Sequence, residues 1–112
     1  MPLFVITLAV LCAAAVAVPR ESPRAQADAA TTYAGKCAMC HGKVGAGDGA
    51  AAAAFNPKPT DFTTAEFQKG RTDEQIAAAI KDGTGAMAGF KGQLSAAQIK
   101  DLVAYLRSLG PQ

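Results

Sequence analysis

Apolar residues recur at helical spacing just ahead of the most distinctive segment of this 112-residue chain. Ala29, Tyr33 and Cys37 follow one another at intervals of four positions, which places their side chains along one face of an α-helix. Asp28 precedes them and is a residue type favoured at a helix N-cap. The pattern therefore predicts a first helix that runs from Asp28 into residues 37–41.

Two further helices have clear start signals in the second half of the chain. Thr72-Asp-Glu-Gln75 and Ser95-Ala-Ala-Gln98 both match the capping box, in which a hydroxyl and a glutamine side chain satisfy the first backbone N–H groups. The apolar positions that follow at helical spacing are Ile76 and Ile80 in one helix and Ile99, Leu102, Val103, Leu106 and Leu109 in the other. We expect the first of these helices to end at Gly83 and the last at the Gly-Pro pair of residues 110–111.

The segments between these helices have the composition of loops. Residues 42–61 contain several glycines and an Asn-Pro-Lys-Pro sequence, with room for a single helical turn at residues 50–54. Residues 83–90 form a second glycine-rich, apolar loop, and Phe62 and Phe67 are expected to pack in the core. Because no stretch shows the alternation of a β-strand, we predict an all-α domain of three to four short helices.

The pentapeptide Cys37-Ala-Met-Cys-His41 carries the strongest chemical signal in the chain. Two cysteines separated by two residues and followed by histidine form the attachment motif of c-type haem. Cys37 and Cys40 can each form a thioether with one vinyl group of the haem, and the short loop then directs His41 to the iron as the proximal ligand. We therefore predict that the helices pack around one covalently bound haem c with its iron.

Other interpretations of this motif are less favourable but remain open. A structural zinc site uses four protein ligands, whereas Cys37, Cys40 and His41 supply three, and the only other cysteine of the sequence is Cys12 near the start. A thioredoxin-like dithiol lies in a βαβ context, and no strand pattern is found near residue 37. A chance match to a five-residue motif is the third alternative.

Met87 is the predicted distal ligand of the iron. A second axial histidine is excluded because His41 is the only histidine in the sequence. Met1 is the start residue, and Met39 lies inside the attachment loop, from which it cannot reach the opposite face of the haem. A thioether ligand favours ferrous iron and raises the reduction potential. The alternative is that Met87 fills a gap in the core, but its glycine-rich surroundings favour close approach to a cofactor.

The proline-restrained loop after His41 has a predicted role in orienting the imidazole. A backbone carbonyl that accepts a hydrogen bond from the second ring nitrogen would fix the ring and raise its basicity. We predict that Pro57, rather than Asn56, supplies this carbonyl. The alternative that the prolines only stiffen a surface loop stays open.

The start of the chain has the features of an export signal. Residues 3–18 form an uncharged apolar run of signal-peptide length, followed by small-x-small sites that end at Ala17 and Ala27. We predict a signal peptide at 1–27 and a single domain at 28–112. The apolar run lacks the Lys or Arg that usually precedes it in a signal peptide. If the run is not cleaved, it would act as a membrane anchor. With 11 Lys and Arg against 9 Asp and Glu, the chain lacks the basic excess expected of a nucleic-acid-binding protein.

Across residues 28–109 the chain resembles the class I c-type cytochromes, specifically the small monohaem bacterial type. The resemblance is carried by the segment from Cys37 to Gly42, by Asn56-Pro-Lys-Pro59, by Gly85-Ala-Met87-Ala-Gly-Phe90 and by residues 94–109. It implies a cytochrome c-like fold in which the first and last helices cross, with Tyr33 meeting Leu102 and Tyr105. Many members of the family have proline after the axial methionine, where this chain has Ala88, which implies a less restrained ligand loop.

The resemblance also implies a function. We expect a periplasmic electron carrier that is not an enzyme, is monomeric, and docks transiently on a redox donor and a redox acceptor. The lysines that could surround the haem edge and steer an acidic partner are Lys43, Lys58, Lys69 and Lys91. An ordinary solvated surface is an equally good explanation of these lysines. The rival function is a haem-based gas sensor or weak peroxidase with a labile methionine, although a peroxidase would need a distal acid–base residue. A third possibility is a membrane-tethered subunit of a larger respiratory complex.

Overall fold

The computed structural model describes residues 13–14 and 22–111, and their fold is mainly helical. In chain order the elements are α1 (Pro23–Lys36), α2 (Ala38–His41), a 3₁₀ turn (Ala52–Ala54), α3 (Ala65–Gly70), α4 (Asp73–Asp82), β1 (Gly83–Thr84), β2 (Met87–Ala88) and α5 (Ala96–Ser108). The predicted all-α class is confirmed, and the small β1–β2 hairpin is an addition to it.

Helix α1 begins earlier than the apolar spacing predicts. Ser22 is its N-cap and accepts a hydrogen bond from the N–H of Ala25 at 3.1 Å, while Pro23 occupies the first turn, where its missing N–H has no cost. The position after Ala27, one of the two predicted cleavage sites, thus lies inside α1. The other site, at Ala17, and the apolar run up to Cys12 lie outside the described residues.

Both capping boxes are formed as predicted. The Thr72 hydroxyl accepts from the N–H of Gln75 at 3.1 Å, and the Gln75 side chain accepts from the N–H of Thr72 at 2.9 Å. The same reciprocal pair joins Ser95 and Gln98 at the start of α5. Helix α4 ends at Asp82 with Gly83 as its C-cap, as expected, and local hydrogen bonds define the starts of both helices.

The β1–β2 hairpin occupies a segment that the sequence pattern assigns to a loop, and helix α3 lies in a stretch for which it predicts no element. Thr64 caps α3 by accepting from the N–H of Phe67 at 3.2 Å. In the hairpin, Gly83 pairs with Ala88 and Thr84 pairs with Met87. Each strand has only two residues, which is too short for an alternating pattern to be visible in the sequence.

The core lies where α1 and α4 pack against α5, and it includes Phe62 from the segment after the Asn-Pro-Lys-Pro loop. Its buried members are Tyr33, Phe62, Ile76, Ile80, Leu94, Ile99, Leu102, Val103 and Leu106, with Phe67 packed against them. The rings of Tyr33 and Tyr105 lie 5.1 Å apart, as the resemblance implies for the contact between the first and last helices. None of the helices in the described ranges has the length and apolar character needed to cross a membrane.

Candidate functional site

The Cys-x-x-Cys-His segment is folded as one tight helical turn at the end of α1. Cys37 is the C-cap of α1, and its N–H donates to the carbonyl of Tyr33 at 2.9 Å. The carbonyl of Cys37 then accepts from the N–H groups of Cys40, at 3.3 Å, and His41, at 3.0 Å. Cys40 and His41 thus lie in the short helix α2 (Ala38–His41), and Cys37 is the N-cap residue directly before it.

Neither cysteine of this turn forms a disulfide, and both are half-buried. Burial raises the pKa of the Cys37 thiol to about 11, an effect that Cys40 reinforces and the Lys36 ammonium partly opposes. A redox-active dithiol depends on a lowered thiol pKa, because the thiolate is the nucleophile. The environment of Cys37 therefore does not favour the thioredoxin-like interpretation.

The His41 ring is held from two sides. Its Nδ1 lies 3.1 Å from the carbonyl oxygen of Thr60, and its ring stacks on Phe62 with centroids 4.5 Å apart and an interplanar angle of 21°. A carbonyl oxygen can only accept, so Nδ1 carries the proton and Nε2 keeps a lone pair. Burial lowers the pKa of His41, and the hydrogen bond to Thr60 partly offsets this effect. The ring is thus prepared as a neutral ligand.

The prediction that Pro57 supplies the carbonyl for His41 is wrong. The structure assigns this hydrogen bond to Thr60, three residues further along the same loop. The proline-rich segment does bring a carbonyl to the imidazole. Its sequence, however, contains no feature that distinguishes one carbonyl from the next, because every residue carries the same acceptor.

A loop of residues 42–51 supplies hydrogen bonds to the carbonyls of the attachment turn. The N–H groups of Gly47, Gly49 and Ala51 donate to the carbonyls of His41, Cys40 and Met39 at 2.7, 3.1 and 2.9 Å, respectively. Helix ends leave such carbonyls without helical partners, and this loop satisfies them. A Cβ on residue 49 would collide with the Met39 carbonyl and lie 2.6 Å from the oxygen of Ala38, so the close approach requires glycine.

Tyr33 contributes its hydroxyl to the site, a role that the helical spacing did not predict. Tyr33 is 1% exposed, and its hydroxyl donates to the carbonyl of Gly42 at 2.6 Å. The bond joins α1 to the residue directly after His41. A buried tyrosine must place its hydroxyl against a partner, and that requirement is the signal that was available in the sequence.

Met87 lies on a different element from the other predicted site residues. It is half-buried in β2, and no hydrogen bond or ring contact joins it to Cys37, Cys40 or His41 in the described part of the chain. A Cβ on Gly83 would lie 2.5 Å from the Met87 carbonyl oxygen and 2.7 Å from the N of Gly89. The hairpin is therefore closely packed against the end of α4, and this packing fixes the backbone of Met87.

The segment after the hairpin is bonded to α4 as well. The N–H of Phe90 donates to the carbonyl of Ile80 at 2.9 Å, and that of Lys91 donates to the carbonyl of Lys81 at 3.0 Å. Ala88, at the position where the resemblance implies proline, pairs with Gly83 and is followed by these two hydrogen bonds to α4. These hydrogen bonds restrain the backbone around Met87, although the lack of a proline at position 88 implies a less restrained loop.

Several apolar and basic side chains that bear on the predicted function are exposed to solvent. Met39 and Val44 are exposed by 64% and 59%, the large apolar side chains most open to solvent among the described residues. The four predicted steering lysines, Lys43, Lys58, Lys69 and Lys91, are all exposed. Across the described ranges, no group of three or more His, Cys, Asp or Glu side chains is arranged to hold a metal ion.

The site fits a covalently attached haem. Two unpaired thiols lie on one helical turn, and the adjacent neutral imidazole keeps the lone pair of Nε2 available. Haem bound here would be held by sulfur at Cys37 and Cys40 and by nitrogen at His41, with iron supplying one-electron chemistry.

Comparison with known proteins agrees with this fit. Residues 24–106 match the family described as cytochrome C oxidase, cbb3-type, subunit III. The chain is 35% identical over 75 residues to a cytochrome c6 from Synechocystis sp. (strain ATCC 27184 / PCC 6803 / Kazusa). That alignment covers 66% of this chain and 57% of the relative, so the chain spans little more than half of the relative's length.

Two solved structures share the fold. The KustC0563 c-type cytochrome superposes with a TM-score of 0.65 at 28% identity, over 74% of this chain and 98% of the other. A chain of the Kuenenia stuttgartiensis reducing HAO-like protein complex Kustc0457/Kustc0458 gives a TM-score of 0.65 at 26% identity, over 85% of this chain and 46% of the other. The predicted cytochrome c-like fold is therefore confirmed.

Proposed function

We propose a function from the premise that this chain belongs to the c-type cytochrome family described as cytochrome C oxidase, cbb3-type, subunit III. Membership implies that it carries covalently bound haem c with iron. The proposed function is to carry single electrons, with the iron alternating between ferric and ferrous, and not to act as an enzyme. The observation that best supports it is the His41 ring, held with its proton on Nδ1 and its Nε2 free.

In this proposal, Cys37 and Cys40 anchor the haem. Each thiol would supply one thioether bond to a vinyl group of the haem, an addition of S–H across the double bond that needs no oxidant. The half-buried position of both thiols on one turn supports this role. The hydrogen bonds to the carbonyls of residues 39–41 keep the turn in shape while the two sulfurs are fixed.

His41 is the proposed proximal ligand of the iron, and Thr60 its orienting partner. A metal-bound histidine commonly donates its other ring N–H to a carbonyl, which fixes the ring and raises its basicity. The 3.1 Å contact with Thr60 has this form. The stacked ring of Phe62 covers one face of the imidazole and limits the access of water.

Met87 is the proposed distal ligand. Its half-buried position on a hairpin that is attached to α4 on both sides supports this assignment, because a restrained loop holds a weak thioether ligand in place. A sulfur ligand would raise the reduction potential and close the iron to small molecules. Both properties suit a carrier.

The proposal places the protein in the periplasm as a monomer that docks transiently on a redox donor and a redox acceptor. The apolar run at residues 3–18 supports export, either as a cleaved signal or as a membrane anchor. Exposed Lys43, Lys58, Lys69 and Lys91 would favour partners with acidic docking surfaces.

The experiment compares Met87→Ala with wild type, both co-expressed with haem-attachment machinery. We expect Met87→Ala to retain the haem but to lose the sulfur-to-iron absorption band of the oxidised protein and to have a lower reduction potential. Met39→Ala is the matched control, because Met39 is exposed on the attachment turn. An unchanged band in Met87→Ala would refute the ligand assignment.

The same preparations test the rival function. A carrier with a closed iron does not bind carbon monoxide in its ferrous form at neutral pH without denaturant. Binding by the wild type would favour a gas sensor or weak peroxidase with a labile Met87.

A further inference from the structure

The ring of Phe62 stacks on the His41 ring and limits its movement. The two rings stack at 4.5 Å, and Phe62 is only 7% exposed. The backbone of Phe62 is held on both sides: its N–H donates to the carbonyl of Gly45 at 2.7 Å, and its carbonyl accepts from Nε2 of Gln68 at 2.8 Å. The position of Phe62 therefore depends on a side chain of helix α3.

The amide of Gln68 uses all of its donors in this position. Besides the bond to Phe62, its Nε2 donates to the carbonyl of Leu106 in α5 at 3.0 Å. Its Oε1 accepts from Nη1 of Arg107 at 3.2 Å. A reversed amide would set Oε1 against two carbonyl oxygens and the NH₂ group against a guanidinium, so one orientation is fixed.

Arg107 is itself held by several contacts. Its Nη1 donates to the Gln68 carbonyl at 2.7 Å, its Nη2 to the Arg71 carbonyl at 2.6 Å, and its Nε pairs with Asp73 at 2.8 Å. The Arg107 side chain is 28% exposed and that of Asp73 is 66% exposed, so the guanidinium is the better shielded partner of the ion pair. A continuous set of hydrogen bonds thus runs from α5 through Gln68 to Phe62, whose ring packs on His41.

We propose that Gln68 is a positioning residue for the axial imidazole. Held by Arg107, it fixes Phe62 against His41 and so maintains the orientation of the ring and the exclusion of water from its face. This proposal rests on the proposed role of His41 as the iron ligand. The shell around a haem ligand controls solvent access and thereby the reduction potential, because water stabilises the more highly charged ferric form.

Two substitutions remove the NH₂ donors of Gln68, one without adding a charge and the other without changing the shape of the side chain. Gln68→Met keeps the length of the side chain but has no donor, and Gln68→Glu is isosteric but presents only acceptors to the carbonyls of Phe62 and Leu106. Gln98 is the matched control, because its side chain accepts from Ser95 and is not part of this set of hydrogen bonds. Gln98→Met and Gln98→Glu repeat the same chemical changes there.

The experiment measures three properties of each haem-loaded protein. These are the midpoint potential by spectroelectrochemical titration, the paramagnetically shifted resonances of the axial imidazole in the ferric state, and stability to denaturant. We expect both Gln68 variants to have lower potentials and displaced imidazole resonances, with the sulfur-to-iron band retained. The Gln98 variants should keep the wild-type potential and resonances even where their stability falls.

The results that would overturn the role of Gln68 differ from those that would overturn the proposed function. If Gln68→Met loses stability but keeps the wild-type potential and imidazole resonances, Gln68 is only a structural residue and the proposal is overturned. A shift in Gln68→Glu alone would be an effect of the added charge and would also overturn it. If wild type itself lacks a low-spin, histidine-ligated haem, the role of His41 fails first, and the role of Gln68 fails with it.

Discussion

Tyr33→Phe tests how much the buried hydroxyl contributes to the stability of the site. The substitution removes a single oxygen and leaves the aromatic pair with Tyr105 in place. The hydroxyl donates to the Gly42 carbonyl at 2.6 Å, and both groups are buried. Its removal leaves the Gly42 carbonyl with the N–H of Gly45, at 3.2 Å, as its donor, so the cost is that of one net hydrogen bond, about 0.5–1.5 kcal/mol.

We expect Tyr33→Phe to lower the free energy of unfolding by about 1 kcal/mol. For a domain of this size, such a loss lowers Tm by roughly 4–8 °C. Tyr105→Phe is the matched control, because its ring belongs to the same pair and none of the side-chain hydrogen bonds among the described residues uses its hydroxyl. It should change stability by less than about 0.5 kcal/mol.

The same tyrosine predicts a dependence on alkaline pH. Burial, reinforced by nearby Cys37, Tyr105 and Asp48, raises the pKa of Tyr33 to about 12, against an ordinary value of about 10. Between these values the unfolded chain releases the proton and the folded protein does not, so stability is complete below about pH 10 and falls toward pH 12. Tyr33→Phe should lose this component.

The assay is denaturant unfolding of the haem-loaded wild type and both variants at neutral pH and at several values from pH 9 to about 11. The reasoning predicts that the difference between wild type and Tyr33→Phe shrinks as the pH rises through this window. Equal losses in Tyr33→Phe and Tyr105→Phe, or a difference that is constant with pH, would refute it.

Further substitutions test the packing of the site and of the core. Gly49→Ala places a Cβ against the Met39 carbonyl, so we expect a low yield of haem-loaded protein, measured by haem stain and intact mass. Gly35→Ala is its control, because nothing lies within 4 Å of a Cβ at that position. The control should stabilise α1 by about 0.5–1 kcal/mol. A normal yield of Gly49→Ala would contradict the close approach. Leu102→Ala empties a side chain that is 1% exposed and should cost about 2–5 kcal/mol in denaturant unfolding; a loss below about 1 kcal/mol would contradict its place in the core.

Local signals in the sequence were sufficient for the helices that have their own caps. The Thr72 and Ser95 capping boxes predicted the starts of α4 and α5, because the hydrogen bonds that define them lie within four residues. The start of α1 was not predicted. Ser22 and Pro23 are favourable at a helix start, but they lie within residues 1–27, the predicted signal peptide.

Contacts between distant segments could not be predicted from spacing. The partner of His41 is a backbone carbonyl at Thr60, and all carbonyls of that loop are chemically alike, so the choice of Pro57 had no physical basis in the sequence. The hydrogen bonds from Arg107 to Gln68 likewise join α5 to α3, and neither residue type indicates the other. The predicted roles of Cys37, Cys40, His41 and Met87 stay predictions, of which the attachment turn has the clearest structural support.

The central claim is that one haem is bound covalently, with His41 and Met87 as axial ligands in a closed, low-spin site. The visible spectrum of the protein made with haem-attachment machinery, oxidised and then reduced, tests it most directly. We predict a sharp low-spin spectrum on reduction and a weak sulfur-to-iron band in the oxidised form, with an intact mass that includes haem. A high-spin spectrum with haem attached would contradict the ligation by Met87, and a mass without haem would contradict the attachment at Cys37 and Cys40.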